Sequence, residues 1–353
     1  MLEKIVIENF KCFKDKREFK FSKINLIYGK SGSGKSSIVH ALKLCLKTFL
    51  LDPILREYDY AIDQVRELLP DNDISKRIHI YTRGTITLPY VNKNAIFDID
   101  FSLSVSDGTL STGIEIEDAK ITRSEMLQAM FSYVIREYNY DKYSIKIEAH
   151  YLSHCVYNVR VVYPRITILD RELFIILYQE IFPNMLKESI KILTPYNNIA
   201  QYSIIPNIED PNIETYKILL TDPCVKYRVS KILSEIFNRE VIIDVRRIKN
   251  RDEYIIEDLS TSRPVSSLES SFRNILNICT LIENLRNNGT LIVDDYDSLM
   301  GDDLLTKVTT IIVKRALSRN IQLILTFRYR RNLDEVFSKL QDLVKDGLEI
   351  IEL

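Results

Sequence analysis

The feature that most constrains this chain is a glycine-rich octapeptide at residues 29–36, Gly-Lys-Ser-Gly-Ser-Gly-Lys-Ser. It fits the pattern GxxxxGK[ST] at every fixed position. The 353 residues include only nine glycines, and three of them, Gly29, Gly32 and Gly34, fall in this loop. An apolar run at 24–28 precedes the loop, and apolar residues at helical spacing follow it. The sequence therefore predicts a strand, a phosphate-binding loop and a helix in direct succession.

Each part of this loop has a chemical task in binding a nucleotide. Glycines let backbone N–H groups turn towards phosphate oxygens, and the following helix directs its positive end at them. In this pattern Lys35 reaches the β- and γ-phosphates, and the hydroxyl of Ser36 binds Mg²⁺. We expect ATP and Mg²⁺ to be held by the residues of this loop: Gly29, Lys30, Ser31, Gly32, Ser33, Gly34, Lys35, Ser36 and Ser37.

A second candidate element is the apolar stretch 290–293, which is followed by two acids, Asp294 and Asp295. A nucleotide-binding fold of this kind needs a strand-end acid that orients Mg²⁺, so Asp294 is the candidate metal ligand. Asp295 lies where a base that polarises the attacking water would lie. A strand that simply ends in a solvated acidic turn has the same pattern, and this alternative stays open.

The charge balance restricts how the chain could bind nucleic acid. It has 48 basic and 49 acidic residues, a net charge of −1, so any contact with DNA must use a local basic patch. The basic runs at 246–251 and 328–331 are candidates for contacts to phosphates. Solvated loop charge explains the same runs, and this alternative also stays open.

Cysteine spacing and hydropathy bear on localisation. The five cysteines, at 12, 45, 155, 224 and 279, are far apart, which excludes a CxxC zinc site. With no secretion signal at the N-terminus, this usage indicates a reducing, cytoplasmic environment. No run approaches the roughly 18 apolar residues of a membrane span.

A metal site at His150, His154 and Cys155 is disfavoured because no fourth ligand lies nearby.

Hydrophobic periodicity divides the rest of the chain into short strands and helices. It predicts strands at 3–7, 18–20, 24–28, several within 78–122, then 143–147, 155–163, 241–246, 254–257, 290–293, 322–326 and 348–353. It predicts helices at 35–51, 53–69, 124–137, 170–193, 215–238, 270–287, 303–318 and 332–345. No heptad pattern is sustained, so a long coiled coil is excluded.

The order of these pieces resembles the ATPase heads of the SMC, RecF, RecN and OLD group, a branch of the ABC-type ATPases. The opening IVIENFKCF at 5–13 and INLIYG at 24–29 are similar to that family's N-terminal signature. The resemblance implies an α/β P-loop NTPase fold of the ABC type, with a mostly parallel core sheet, an antiparallel lobe and a compact α+β insertion. It implies boundaries at 1–123, 124–214 and 215–353. It also adds Asn9, Phe10 and Lys11 to the nucleotide-binding residues.

The resemblance implies a dimer as well. In this family two heads hold two ATP molecules between them, and each P-loop faces the partner's signature serine. The segment VSSLES at 265–270 stands where the family commonly has LSSGEQ, which makes Ser266 the implied signature serine. A homodimer with ATP sandwiched is therefore expected. The alternative is a monomeric ATP-binding protein in which this segment merely caps a helix.

Four positions depart from the family pattern. Ser31 replaces an asparagine of the P-loop, Leu268 replaces the signature glycine, and Asp295 replaces the usual catalytic glutamate. Arg328 stands where the switch histidine is expected; it can stabilise phosphate charge but cannot act as a neutral relay. Misplacing the attacking water by about 1 Å can cost on the order of a hundredfold in rate. We therefore expect slow hydrolysis, with ATP binding mattering more than turnover.

By resemblance, the expected function is an ATP-gated, DNA-associated ATPase of chromosome organisation or repair, associated with the nucleoid. The isoleucine-rich, tryptophan-free composition is compatible with an archaeal SMC-related protein such as the short-armed coalescins. One alternative is an OLD-type defence or regulatory ATPase that controls a nuclease partner. OLD-type proteins carry compact arms at the position of the insertion, where SMC proteins carry coiled coils. Another is a nucleotide-binding scaffold that does not hydrolyse ATP.

Overall fold

The computed structural model describes residues 1–50, 67–73, 75–88, 93–106, 109–116, 145–152, 156–162, 189–193, 211–247, 254–264, 270–344 and 346–353. These residues form two compact units. The first comprises 1–21 and the described residues from 32 to 190, and the second comprises 22–31, 191–193 and the described residues from 211 onwards. The boundaries at 1–123, 124–214 and 215–353 stay a prediction.

The described part of the chain contains both strands and helices throughout. Its strands are β1 (Leu2–Glu8), β2 (Arg17–Lys20), β3 (Ile24–Tyr28), β4 (Ile78–Leu88), β5 (Lys93–Ser106), β6 (Thr109–Ile116), β7 (Ile145–Leu152), β8 (Val156–Val162), β9 (Ile190–Leu193), β10 (Ile243–Arg247), β11 (Tyr254–Asp258), β12 (Arg263–Pro264), β13 (Thr290–Val293), β14 (Gln322–Phe327) and β15 (Leu348–Glu352). Its α-helices are α1 (Lys35–Leu50), α2 (Pro211–Thr221), α3 (Pro223–Phe237), α4 (Ser270–Asn284), α5 (Asp302–Ser318) and α6 (Arg330–Leu340). None of these helices has the length and apolar character that crossing a membrane requires.

The first unit is built on a seven-stranded antiparallel sheet. Its strand order is β2-β1-β4-β5-β6-β7-β8, and every neighbouring pair is antiparallel. Buried apolar side chains of β1 and of helix α1, such as Ile5, Ile38 and Leu42, belong to its core. The predicted antiparallel lobe is confirmed, and the sheet continues through β7 and β8 into the range that was expected to be an insertion.

The second unit contains the predicted parallel core sheet, in the order β15-β3-β14-β13-β9. The pairs β15–β3, β3–β14 and β14–β13 are parallel. All six residues of β14 and all four of β13 are buried, as expected for parallel strands covered on both faces. Together with the antiparallel sheet of the first unit, this confirms the α/β fold class.

Two secondary-structure predictions were wrong. The helix predicted over 170–193 does not include 190–193, which form the edge strand β9; a short apolar run does not distinguish helix from strand by periodicity. The helix predicted over 215–238 is two helices that break at Asp222. Pro223 occupies the first position of α3, where it needs no N–H partner, and the Asp222 carboxylate accepts a hydrogen bond from Val225 N at 2.9 Å.

A buried glutamate joins three helices of the second unit. The Glu283 side chain, on α4, is fully buried and accepts a hydrogen bond at 2.6 Å from Nε of each of two arginines, Arg228 on α3 and Arg315 on α5. Arg319 lies 3.6 Å from the same carboxylate and donates to the carbonyl of Leu285. These arginines lie at the carboxyl end of α4, where cations also offset the helix dipole.

Candidate functional site

The carboxyl edge of the parallel sheet brings together the start of the P-loop and the acidic turn. β3 ends at Tyr28, which pairs with Phe327 of β14, and Leu325 of β14 pairs with Val293 of β13. Gly29 follows β3 directly and Asp294 follows β13 directly. Because β3 and β13 both flank β14 and run parallel to it, their carboxyl ends lie at one edge. Ligands of open α/β sheets bind at this edge.

Two loop glycines adopt backbone conformations that other residues rarely adopt. Gly32 has φ +83° and Gly34 has φ +111°. A Cβ at Gly32 would meet no atom within 4 Å. A Cβ at Gly34 would lie 2.5 Å from Cζ of Phe13 and 2.7 Å from Sγ of Cys12. The loop therefore needs glycine at 34 for two independent reasons, conformation and packing, and at 32 for conformation alone.

These two glycines form a matched pair for mutation. Gly32→Ala should lower the free energy of unfolding by about 1–2 kcal/mol, the cost of a side chain at positive φ. Gly34→Ala should lower it by roughly 3 kcal/mol, since the new methyl group also collides with Phe13. Urea denaturation of the two variants and the wild type measures both values. Equal losses in the two variants would contradict the packing role of Phe13.

The helix after the loop begins where the motif requires. The N–H of Ile38 donates to the carbonyl of Gly34 at 2.9 Å, so residues 35–37 occupy the first turn of α1, whose positive end faces the loop. Lys35 is buried, with 7% of its surface exposed. Ser36 and Ser37 are half-buried, and Cys12 Sγ lies 3.6 Å from Ser37 Oγ.

Ser33 is distinctive within the loop. Its hydroxyl is buried and has no hydrogen-bond partner. A buried hydroxyl without a partner costs free energy, and such a cost is commonly retained where a ligand supplies the missing contact. A phosphate oxygen accepts hydrogen bonds, so this hydroxyl fits the ATP that the motif predicts.

The N-terminal signature residues pack beside the helix of the loop within the first unit. Phe10 is buried, and its backbone pairs with that of Phe13. Asn9 has φ +51° and its amide donates to the carbonyl of Arg77 at 3.0 Å. Lys11 has φ +52°, and its ammonium contacts Nδ1 of His40 on α1. Asn9 and Lys11 thus both have protein partners in this structure, and their contact with nucleotide stays a prediction.

His40 is held neutral, which suits it as the acceptor for Lys11. Burial, together with the positive charges of Lys11 and Lys43, lowers the pKa of His40 to about 3. A protonated imidazole would have no acceptor nitrogen and would repel both ammonium groups. The contact between Lys11 and His40 therefore requires the neutral ring.

The His40 pKa predicts a pH dependence of stability. The ring has a pKa of about 3 in the folded state against 6.5 in the unfolded chain, so acid favours the unfolded state below about pH 6.5. Lowering the pH from about 7.5 to about 5 should cost about 2 kcal/mol through this group. Urea denaturation at both pH values should show that the loss in the free energy of unfolding is smaller by about 2 kcal/mol in His40→Gln than in the wild type. A variant with the wild-type pH dependence would refute the assignment.

The two acids after β13 are linked through one residue of β14. The Thr326 hydroxyl donates to Oδ1 of Asp294 at 2.7 Å, and it accepts a hydrogen bond from the N–H of Asp295 at 2.7 Å. Thr326 is fully buried and Asp294 is 4% exposed. Asp295 has φ +48°, a left-handed conformation that is uncommon for a residue with a side chain. Such conformations persist only where surrounding contacts hold them.

The two residues that were predicted to act in catalysis contact each other. Nη2 of Arg328 lies 2.7 Å from Oδ2 of Asp295; the arginine side chain is 51% exposed and the aspartate side chain 13%. The hydrogen bond to Asp295, together with its charge, raises the pKa of Arg328 above its ordinary value. In this arrangement the Asp295 carboxylate is engaged by a cation and is not poised as a free base.

A third acid of the same turn fixes the backbone at Arg328. Asp297 is buried, and its carboxylate accepts hydrogen bonds from the N–H groups of Arg328 and Tyr329, each at 2.9 Å. It thereby fixes the backbone of the segment that leads into α6. The roles of Asp297 and Thr326 were not predicted from the sequence. The available signals were a third acid after Asp294 and Asp295, and a threonine near the end of a mostly apolar strand.

Several residues that were considered as site residues lie outside the described part of the chain. These are the signature segment 265–269 with Ser266 and Leu268, together with His154, Cys155, Lys249 and Arg251. Most of the predicted insertion 124–214 and most of the helix predicted over 53–69 also lie there. For all of them the sequence-based expectations stand as predictions.

The strand, glycine loop and helix, with acids at the end of another parallel strand of the same sheet, define a P-loop nucleotide-binding fold. A family model described as an AAA domain matches residues 4–203, more than half of the chain. The chain belongs to this AAA domain family. No curated protein matches it.

Solved structures give the fold in more detail. A crystal structure of an Smc head bound to the C-winged helix domain of ScpA is 13% identical, covering 95% of this chain and 92% of that chain, with a TM-score of 0.50. An SMC head domain from Thermotoga maritima is 12% identical over 96% and 91%, with a TM-score of 0.38. An Smc head with an extended coiled coil, bound to the C-terminal domain of ScpA derived from Pyrococcus furiosus, is 10% identical over 96% and 91%, with a TM-score of 0.45. The first of these structures confirms the predicted resemblance to SMC-type heads at the level of the fold.

Proposed function

We propose that this protein is an ATPase head that binds ATP with Mg²⁺, dimerises on ATP and hydrolyses it slowly while acting on DNA. The observation that carries the proposal is the shared carboxyl edge of β3, β14 and β13, from which the P-loop and the acidic turn both begin. The AAA domain match and the SMC-head fold support ATP binding.

The residues present fit ATP and Mg²⁺. The loop offers the start of a helix, glycines at positive φ and a buried hydroxyl without a partner. From the motif, Ser36 and Asp294 are the proposed Mg²⁺ ligands, and Lys35 binds the phosphates. Bound Mg²⁺ would neutralise charge that develops on the phosphate oxygens. Asp295 would orient the water, and Arg328 would stabilise phosphate charge.

ATP binding should depend on Lys35. Lys35→Ala removes the ammonium that binds the phosphates and should weaken ATP affinity on the order of a hundredfold. Lys30 stands at a variable position of the motif, where the backbone N–H and not the side chain contacts phosphate. Lys30→Ala, which removes an exposed ammonium of the same loop, is therefore the matched control and should change affinity about fivefold or less. Isothermal titration calorimetry with ATP and Mg²⁺ measures both. Undiminished binding by Lys35→Ala would refute the proposed site.

Dimerisation should require nucleotide. With ATP and Mg²⁺, light scattering should show twice the monomer mass of 41.3 kDa, and without nucleotide or in Lys35→Ala it should show the monomer. Ser266→Arg should bind ATP normally and stay monomeric, because the bulky cation would occupy the interface where the partner's P-loop is expected. A monomer at all ATP concentrations would favour the alternative of a monomeric ATP-binding protein.

The ion pair between Arg328 and Asp295 favours a second candidate function, a nucleotide-binding scaffold without hydrolysis. In this pair the proposed water-orienting carboxylate is already engaged at 2.7 Å. Phosphate release beside a Lys35→Ala control separates the two functions: slow, Lys35-dependent release supports the ATPase, and release equal to the control supports the scaffold. Many turnovers per second would contradict slow hydrolysis.

The partners and the cellular role belong to the same proposal. Chromosome organisation or repair, in the cytoplasm at the nucleoid, is proposed from the resemblance to SMC-type proteins. In the basic run 328–331, Arg328 forms an ion pair with Asp295 and Arg330 forms one with Glu352. Less of the positive charge of this run is therefore available to contact DNA phosphates. Because one similar Smc head was solved with ScpA, a protein partner is also proposed. Co-purification of a nuclease would instead favour the OLD-type alternative.

A further inference from the structure

Thr326, on β14, lies beside the turn that contains Asp294 and Asp295. Neither the P-loop motif nor the acidic motif includes it. It lies one residue before the end of β14, the strand between β3 and β13. Its hydroxyl is fully buried and makes two hydrogen bonds of 2.7 Å, one to the Asp294 carboxylate and one from the Asp295 N–H. One side chain thus contacts both acids.

The direction of these hydrogen bonds is fixed by chemistry. A backbone N–H can only donate, so the hydroxyl oxygen accepts from Asp295. The single hydroxyl hydrogen is then available for the Asp294 carboxylate, which can only accept while it is ionised. Thr326 therefore holds one oxygen of Asp294 in place and also satisfies the N–H of the left-handed residue Asp295.

We infer that Thr326 is a positioning residue that sets Asp294 for Mg²⁺ and Asp295 for the attacking water. The inference rests on the proposed function. Residues that hydrogen-bond to metal ligands orient them, and their loss typically costs about 10–100-fold in metal affinity. A valine at this position keeps the shape of the side chain but removes both hydrogen bonds at once.

The same sheet provides a matched control. Thr290, the first residue of β13, is also fully buried and also loses one hydroxyl hydrogen bond on mutation to valine, the bond of 2.9 Å to Oε1 of Gln322. It lies at the amino edge of the sheet, opposite the acidic turn. Thr326→Val and Thr290→Val should therefore both lower the melting temperature, and only the first should alter the metal dependence of nucleotide binding.

The test is a Mg²⁺ titration of the binding of a fluorescent ATP analogue to the full chain. In Thr326→Val the Mg²⁺ concentration for half-maximal binding should rise about tenfold or more. Thr326→Ser, which keeps the hydroxyl, should restore it to within about threefold of the wild type. Thr290→Val should match the wild type. Analogue binding without Mg²⁺ should be equal in all four proteins, since the P-loop is unchanged.

The outcomes separate this inference from the proposed function. If the wild type shows no Mg²⁺-dependent analogue binding, the proposed function fails. If the wild type shows it and Thr326→Val has the same Mg²⁺ dependence, the role of Thr326 is overturned and the proposed function stands. A shift of equal size in Thr290→Val would also overturn it, because that shift would then reflect general destabilisation.

Discussion

The parallel pairing of β3, β14 and β13 is the constraint on which the candidate site depends. The strands are buried and in register, so their carboxyl ends cannot shift singly without breaking ladder hydrogen bonds. More than 260 residues separate Gly29 from Asp294 along the chain, yet the ladder brings the two strand ends to one edge. Backbone pairing therefore sets the position of each chemical group at this edge, and this pairing is stiffer than any single side-chain contact.

At that edge, polar contacts join the turn that follows β13 to the end of β14. Asp294 bonds to the Thr326 hydroxyl, Asp295 to the Arg328 guanidinium, and Asp297 to the backbone of Arg328. Buried polar groups are stable only when they are satisfied, so these contacts reinforce one another. The uncommon backbone of Asp295 is then held by its neighbours.

The parts of the fold that rest on contiguous patterns could be predicted from the sequence. The P-loop has a fixed local spacing, and β13 and β14 are apolar runs with clear ends. Strand β9 was missed, since its four residues are too few to show a period, and the break at Asp222 was missed although Pro223 marks it. The sequence could name Asp294, Asp295 and Arg328, but the binding roles of these residues remain predictions.

Contacts between distant residues could not be predicted. The pairing of Arg328 with Asp295 joins residues 33 apart, and that of Thr326 with Asp294 joins residues 32 apart. Both depend on the register of two strands, which a single sequence does not reveal. The contact of Lys11 with a neutral His40 likewise depends on the burial of the imidazole ring. Hydrophobic periodicity predicts burial only for a whole face of a helix and not for a single side chain.

The buried carboxylate of Asp297 has a mechanical consequence. Because its carboxylate holds the main-chain amides of Arg328 and Tyr329, the peptide at this point is anchored while the guanidinium remains half exposed at the end of a long, rotatable stem. Reorienting that cation requires breaking its hydrogen bond to Asp295 and rotating side-chain bonds, but no movement of the main chain. Side-chain rotations at exposed sites occur within picoseconds to nanoseconds. The guanidinium can therefore exchange Asp295 for another nearby negative charge while the backbone held by Asp297 stays in place.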